Sequence, residues 1–321
     1  MIFLIKKPFL HDRDGFFLYT VSMNSRQKII PEIIRADILG YCMGVRKAVE
    51  MAKLALEEHK SCQVWTLGPL IHNQIALDML ANQGIKVLSD SQIKNLQEKD
   101  IVVIRAHGVP PQKIEEIKSH GSSVIDATCP LVRASQKRAV KYTSLGYTVF
   151  LAGDKNHGEI TGIVGYAEEA ARENGRCFVI ENRKEAEDVI GFIEPSVKAV
   201  LISQTTFSPM EFDAIAEILQ KKIPTLEVMN TICPATMERQ KALADLKGKA
   251  DGVLIIGGKN SANTRRLLLS AQKYFSIATL IETADEIPPE FFSLKKIALT
   301  AGASTPDEVI EEVERVLISK K

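Results

Sequence analysis

The chain repeats itself three times, and this repeat restricts its fold more than any other feature. Each unit opens on a cysteine followed by a basic stretch: Cys42-Met-Gly-Val-Arg-Lys-Ala, Cys129-Pro-Leu-Val-Arg-Ala-Ser-Gln-Lys-Arg and Cys233-Pro-Ala-Thr-Met-Glu-Arg-Gln-Lys-Ala. Pro130 and Pro234 suit the first turn of a helix, where no amide donor is needed, so the cysteines are expected at helix N-termini. A short apolar run closed by glycine follows in each unit, with Gly68, Gly153 and Gly257 standing 26, 24 and 24 residues after the cysteine. Runs this short, rich in β-branched residues, read as buried strands. Each unit ends on a second apolar run and a polar loop, at Ile101 to Gly108, Ala199 to Thr206 and Ile297 to Ser304. Strands alternating with helices imply an α/β fold of βαβ units with parallel sheets. The boundaries expected are an extension over 1–36, of no assigned role, and three α/β repeats over 37–128, 129–230 and 231–321. Functional loops of such sheets lie beyond the carboxyl ends of the strands. Duplication without a shared site is the plainer alternative, but the same chemically active residue types recur at the same offsets.

With 45% hydrophobic and 25% charged residues, the 321-residue chain can bury a core without staples. A formal net charge of +1 points to neither a nucleic-acid nor a membrane surface. Five cysteines are too few and too odd in number for a disulfide framework, and point to a reducing, cytoplasmic compartment. No segment is long and apolar enough to span a bilayer. The first 36 residues mix charges among apolar residues and lack a continuous apolar core, so they make a poor signal peptide. They are expected to be a dispensable extension, or the product of a start upstream of Met23.

Cys42, Cys129 and Cys233 occupy equivalent positions. Iron–sulfur clusters are held by thiolates, usually four; three equivalent cysteines leave one iron open to act as a Lewis acid. Cys62 and Cys177 have no such context and are expected in the core. No close Cys–Cys or Cys–His pair supports structural zinc. His72, His107 and His157 fall in the loops after predicted strands, and the third unit offers Asn260, Ser261, Asn263, Ser304 and Thr305 in the matching loops. Such donors, with loop amides, suit a diphosphate, although Asn and Ser are also ordinary turn formers. Glu159, two residues after His157, is placed to deliver protons, and Thr205 and Thr206 to orient a hydroxyl; alone, a glutamate or a strand-end threonine would carry no weight. Neither a P-loop nor a dinucleotide fingerprint is present, and no Asp-rich run suggests magnesium-bound diphosphate.

Taken in order, Gly40-Tyr-Cys42-Met-Gly-Val, Gly68-Pro-Leu-Ile-His72-Asn, Arg105-Ala-His107-Gly-Val, Asp126-Ala-Thr-Cys129-Pro-Leu-Val, Gln204-Thr205-Thr206, Thr231-Ile-Cys233-Pro-Ala-Thr and Thr300-Ala-Gly-Ala-Ser304-Thr-Pro resemble the 4-hydroxy-3-methylbut-2-enyl diphosphate reductase family, also called LytB or IspH. The resemblance runs from about Ile38 to Lys321. It implies a trefoil of three α/β domains around a [4Fe–4S] cluster held by Cys42, Cys129 and Cys233 with one open iron. It implies a substrate diphosphate met by His72, His107, His157, Ser261, Ala262, Asn263 and Ser304, with Thr205 and Glu159 at the substrate hydroxyl. The implied reaction is a reductive dehydroxylation giving isopentenyl and dimethylallyl diphosphates, with a ferredoxin- or flavodoxin-type electron donor.

Two positions depart from the family pattern. Gly158 stands where the family usually has Pro between His and Glu, which leaves the aim of Glu159 less constrained. Ala262 stands where it usually has Ser; the hydroxyl is gone but the backbone amide remains a donor, so weaker diphosphate binding at most is expected. Two other classes compete: a lyase of the quinolinate-synthase type, whose substrate carries carboxylates, and a non-catalytic iron–sulfur sensor, which would need no Glu159, threonine pair and anion pocket together.

Overall fold

Residues 30–71, 73–172 and 175–319 are described by the computed structural model, with residue 262 as backbone only. They form three four-stranded parallel sheets. The first runs β3 (Lys86–Leu88), β2 (Val64–Leu67), β4 (Ile101–Ile104), β5 (Ser123–Asp126). The second runs β7 (Arg176–Ile180), β6 (Thr148–Ala152), β8 (Ala199–Ser203), β9 (Glu227–Val228). The third runs β11 (Ala278–Ile281), β10 (Gly252–Ile256), β12 (Lys296–Ala301), β1 (Glu32–Arg35). The order is the same in all three, so the sequence repeat is a repeat of fold.

The six apolar runs are the six central strands. β4 shows why they read as unbroken: Ile101 and Val103 enter the core on one face, Val102 and Ile104 the core on the other. β10 does the same, with Leu254 and Ile256 on one side and Val253 and Ile255 on the other. A parallel strand covered on both faces alternates sides without alternating polarity. The closing glycines serve different needs. Gly68 and Gly257 take positive φ, +67° and +144°, whereas at Gly153 a Cβ would lie 2.3 Å from Ile160 Cδ1.

The expected boundary at residue 36 requires a correction. β1 lies inside the supposed extension, yet pairs in parallel with β12 from Glu32↔Lys296 to Arg35↔Leu299. Residues 32–35 therefore complete the third sheet as its edge strand, and deleting them would expose the edge of β12. The remaining part of the expected extension, residues 1–29 with Met23, lies outside the described residues. No helix among the described residues is long and apolar enough to cross a membrane.

Candidate active site

Each of the three cysteines caps a helix: Cys42 for α1 (Met43–Glu58), Cys129 for α4 (Pro130–Ser144) and Cys233 for α8 (Pro234–Ala244). Each follows the edge strand β1, β5 or β9, and each donates its backbone amide to the loop after the adjoining strand. Cys42 N bonds Ala303 O (3.0 Å), Cys129 N bonds Ala106 O (2.9 Å) and Cys233 N bonds Thr205 O (2.7 Å). The acceptors are Thr205 itself and the residues immediately before Ser304 and His107. In each sheet the bond joins the loop after the edge strand to the loop after the strand beside it. The expected cysteines thus meet the expected substrate loops through the same backbone bond, three times.

Residues of the loops after β2, β6 and β10 cap three further helices. Asn73 caps α2 (Gln74–Asn82), His157 caps α5 (Gly158–Ala170) and Ser261 caps α9 (Ala262–Ala271). Helix N-termini present free amides and a partial positive charge, a setting suited to an anion. Glu159 N donates to His157 Nδ1 at 3.2 Å, so a neutral His157 carries its proton on Nε2. The His107 and His157 rings meet edge to face, with centroids 5.2 Å apart. Ser304 is buried, and the buried Nδ2 of Asn263 has no acceptor. His72 lies outside the described residues, as does the side chain of Ala262, which opens α9.

Glu159 is 1% exposed and locked to Thr205. Thr205 N donates to one carboxylate oxygen at 2.7 Å, and Thr205 Oγ1 lies 2.7 Å from the other. These two contacts fix the aim of Glu159 without a proline at 158. At that position a Cβ would come 2.6 Å from Arg105 Nη2, so glycine leaves room for the guanidinium. Burial pushes the Glu159 carboxyl up to about 7 against the pull of both Thr205 bonds. A group with its pKa near operating pH suits proton delivery. It also ties stability to pH. The neutral carboxyl fits the fold, so this stability is full below the unfolded value of 4.5 and is lost as pH rises through about 7. The loss approaches roughly 3 kcal/mol at alkaline pH. Glu159→Gln is therefore expected to gain on the parent as pH rises from 5 to 8.5, read as a widening gap in urea midpoints; a constant gap would contradict the buried acid.

Burial is the largest influence on the Cys129 and Cys233 thiols and raises both, with amides at Leu131, Val132 and Ala235 pulling the other way. The three are near neighbours. Cys129 feels Cys42 and Glu159, Cys233 feels Cys42 and Cys129, and a Cβ on Gly44 would stand 2.6 Å from Cys129 Sγ. Even so, among the described residues no three His, Cys, Asp or Glu side chains converge on a point that one metal ion would fill. Three neighbouring thiols are a donor set of the kind that iron–sulfur clusters take. Cys62 and Cys177 pack against hydrophobic cores, as expected, and burial lifts the Cys177 thiol to about 12.

Two arginines at the site were not singled out by sequence. Arg105 lies between Gly68 and Gly158, with its Nε buried and unbonded. Arg239, in the basic stretch after Cys233, is buried against the Cys42 turn. The basic residue after each cysteine was the available signal, but nothing in its neighbours tells a buried arginine from a solvated one. Gln204 also joins two loops, accepting from Asp154 N at 2.9 Å and donating to Thr206 Oγ1 at 2.9 Å.

Residues 33–318 match the family model described as LytB protein. A relative from Treponema denticola named 4-hydroxy-3-methylbut-2-enyl diphosphate reductase is 48% identical over 291 residues, covering 88% of this chain and 98% of the relative. One of the same name from Aquifex aeolicus is 39% identical, over 88% of this chain and 94% of the relative. A solved (E)-4-hydroxy-3-methyl-but-2-enyl diphosphate reductase, described as the terminal enzyme of the non-mevalonate pathway, superposes with a TM-score of 0.73 at 38% identity, over 88% of this chain and 98% of that one. A solved E-1-hydroxy-2-methyl-but-2-enyl-4-diphosphate reductase from Plasmodium falciparum gives a TM-score of 0.76 at 27% identity, over 90% of this chain and 89% of that one.

Proposed function

The chain belongs to the LytB family, and from that premise we propose that it reduces (E)-4-hydroxy-3-methylbut-2-enyl diphosphate to isopentenyl and dimethylallyl diphosphates. The reaction breaks one C–OH bond and forms one C–H bond. Two electrons and two protons enter, and the hydroxyl leaves as water. The reading rests above all on the three equivalent backbone bonds that tie each cysteine to a loop bearing Ser304, His107 or Thr205.

Cys42, Cys129 and Cys233 would hold a [4Fe–4S] cluster with one open iron, which supplies single electrons and a Lewis acid for the departing oxygen. The chain's own residues do the rest. His107, His157, Ser261, Asn263 and Ser304, with His72 and the amide of Ala262, hold the diphosphate, and the unbonded Asn263 Nδ2 is a donor in need of such an acceptor. That anchor positions the allylic alcohol. Glu159 is the proton source. When neutral, its O–H donates to Thr205 Oγ1 across the 2.7 Å contact, and the Thr205 hydroxyl hydrogen is released toward the substrate oxygen. The same contact accepts a hydrogen bond once the proton has left, so one pair holds both states.

Without a flavin or nicotinamide motif in the chain, the electrons come from a small carrier of the ferredoxin or flavodoxin type. The free thiols suit a reducing compartment, the cytoplasm. The test is anaerobic turnover by cluster-reconstituted protein. Substrate-dependent oxidation of reduced viologen is expected, with no turnover on NADPH alone. A loaded protein that ignores the diphosphate but changes its visible spectrum with dicarboxylates would replace this reading with the lyase.

A further inference from the structure

All three cysteine helices carry a basic residue within two turns of the cysteine, but the three meet different fates. Arg46 pairs with Asp307 at 2.8 Å and Arg133 with Asp126 at 2.8 Å, both partly exposed. Arg239 is 2% exposed and forms no ion pair with any carboxylate among the described residues. Its Nη2 donates to Gly40 O at 2.7 Å, two residues before Cys42, and its Nη1 to Ala235 O at 3.2 Å, two residues after Cys233. Its Nε is buried without an acceptor. The guanidinium thus joins the Cys42 turn to the Cys233 helix across two repeats. Burial is the largest influence on it, and the titratable groups near enough to act on it are Cys42, then Cys233, then Glu238 on its own helix. The other guanidinium buried without an ion pair, Arg105, feels Asp90 and none of the cysteines.

A buried arginine without a counter-ion is costly, and arginine cannot escape the cost by losing its proton. Two carbonyls satisfy hydrogen bonds but supply no charge. The negative charge nearest to hand is the thiolate set, present once a cluster is held. We propose that Arg239 is the positioning residue of the cysteine centre, setting a fixed positive charge beside Cys42 and Cys233 and thereby raising the reduction potential of the cluster they hold. The inference rests on the cluster reading above. Reduction adds one negative charge, and a cation in a low-dielectric interior favours the more negative state.

The test compares the reconstituted protein with Arg239→Gln and Arg239→Lys, by a dye-mediated redox titration followed by electron paramagnetic resonance. Gln keeps a donor for Gly40 and removes the charge. It is expected to lower the reduced-to-oxidised ratio at a fixed potential about tenfold, roughly 59 mV for a one-electron couple. Lys keeps the charge with fewer donors and is expected to stay within about threefold of the parent, since charge and not bonding count sets the effect. A Gln midpoint equal to the parent's would overturn the proposal. A tenfold drop in the Lys variant would do so too, and that arm decides alone if the Gln variant fails to take up iron. A parent protein that binds no iron would instead remove the cluster reading itself.

Discussion

Glu159→Gln is expected to lower turnover between about 100-fold and 10,000-fold, the range for losing a positioned proton donor, while the substrate dissociation constant changes by less than about threefold. The separation follows from the geometry. The Gln oxygen can still accept from Thr205 N, and its amide can donate to Thr205 Oγ1, so both 2.7 Å contacts survive in the sense that the neutral acid makes them. What is lost is the acid, because an amide that donates to Thr205 has no proton to give up. The parent's turnover should also fall as pH rises past about 7, where the buried carboxyl ionises and ceases to be a donor; the variant should lack that limb. Stopped-flow turnover and calorimetric binding across pH 6–9 separate the two effects. Parent-like turnover in the variant would remove Glu159 from the reaction.

How far the sequence reveals this arrangement depends on what each residue packs against. β4, β6, β8, β10 and β12 stand out because burial on both faces leaves an unbroken apolar run. Edge strands have no such signal. β9 is two exposed residues, Glu227 and Val228, and is a strand only because β8 offers it hydrogen bonds. β1 was hidden for another reason: its partner β12 lies some 260 residues on, a pairing that no local pattern encodes. The cysteine helices were legible through Pro130 and Pro234, whose fixed φ and missing amide serve only the first turn. Gly158 was judged as a loss of rigidity, since sequence carries no sign that Arg105 would occupy the space or that Thr205 would fix Glu159. In general, residues that act through their own backbone preference could be read, and those that act through a partner distant in sequence could not.

Cys129→Ser is expected to abolish cluster uptake, with turnover falling by more than about 100-fold, the upper figure for losing only a ligand's supporting partner. The variant should fold. Serine is smaller than cysteine, the amide bond to Ala106 O is made by backbone, and the close approach to Gly44 is relieved rather than tightened. A hydroxyl, however, is a poor replacement for thiolate on iron. The control is Cys177→Ser. Cys177 is the second residue of β7 and packs against the core between that sheet and its helices. A buried hydroxyl there should cost about 1–3 kcal/mol of stability yet leave iron content unchanged. Iron and sulfide per chain, with melting temperature measured on the same samples, distinguish the two cysteines in opposite directions: Cys129→Ser loses iron with its apo-protein fold kept, and Cys177→Ser loses stability with its iron kept. Iron retained in full by Cys129→Ser, at an unchanged spectrum, would break the threefold ligand set and with it the equivalence of the three repeats at their centre.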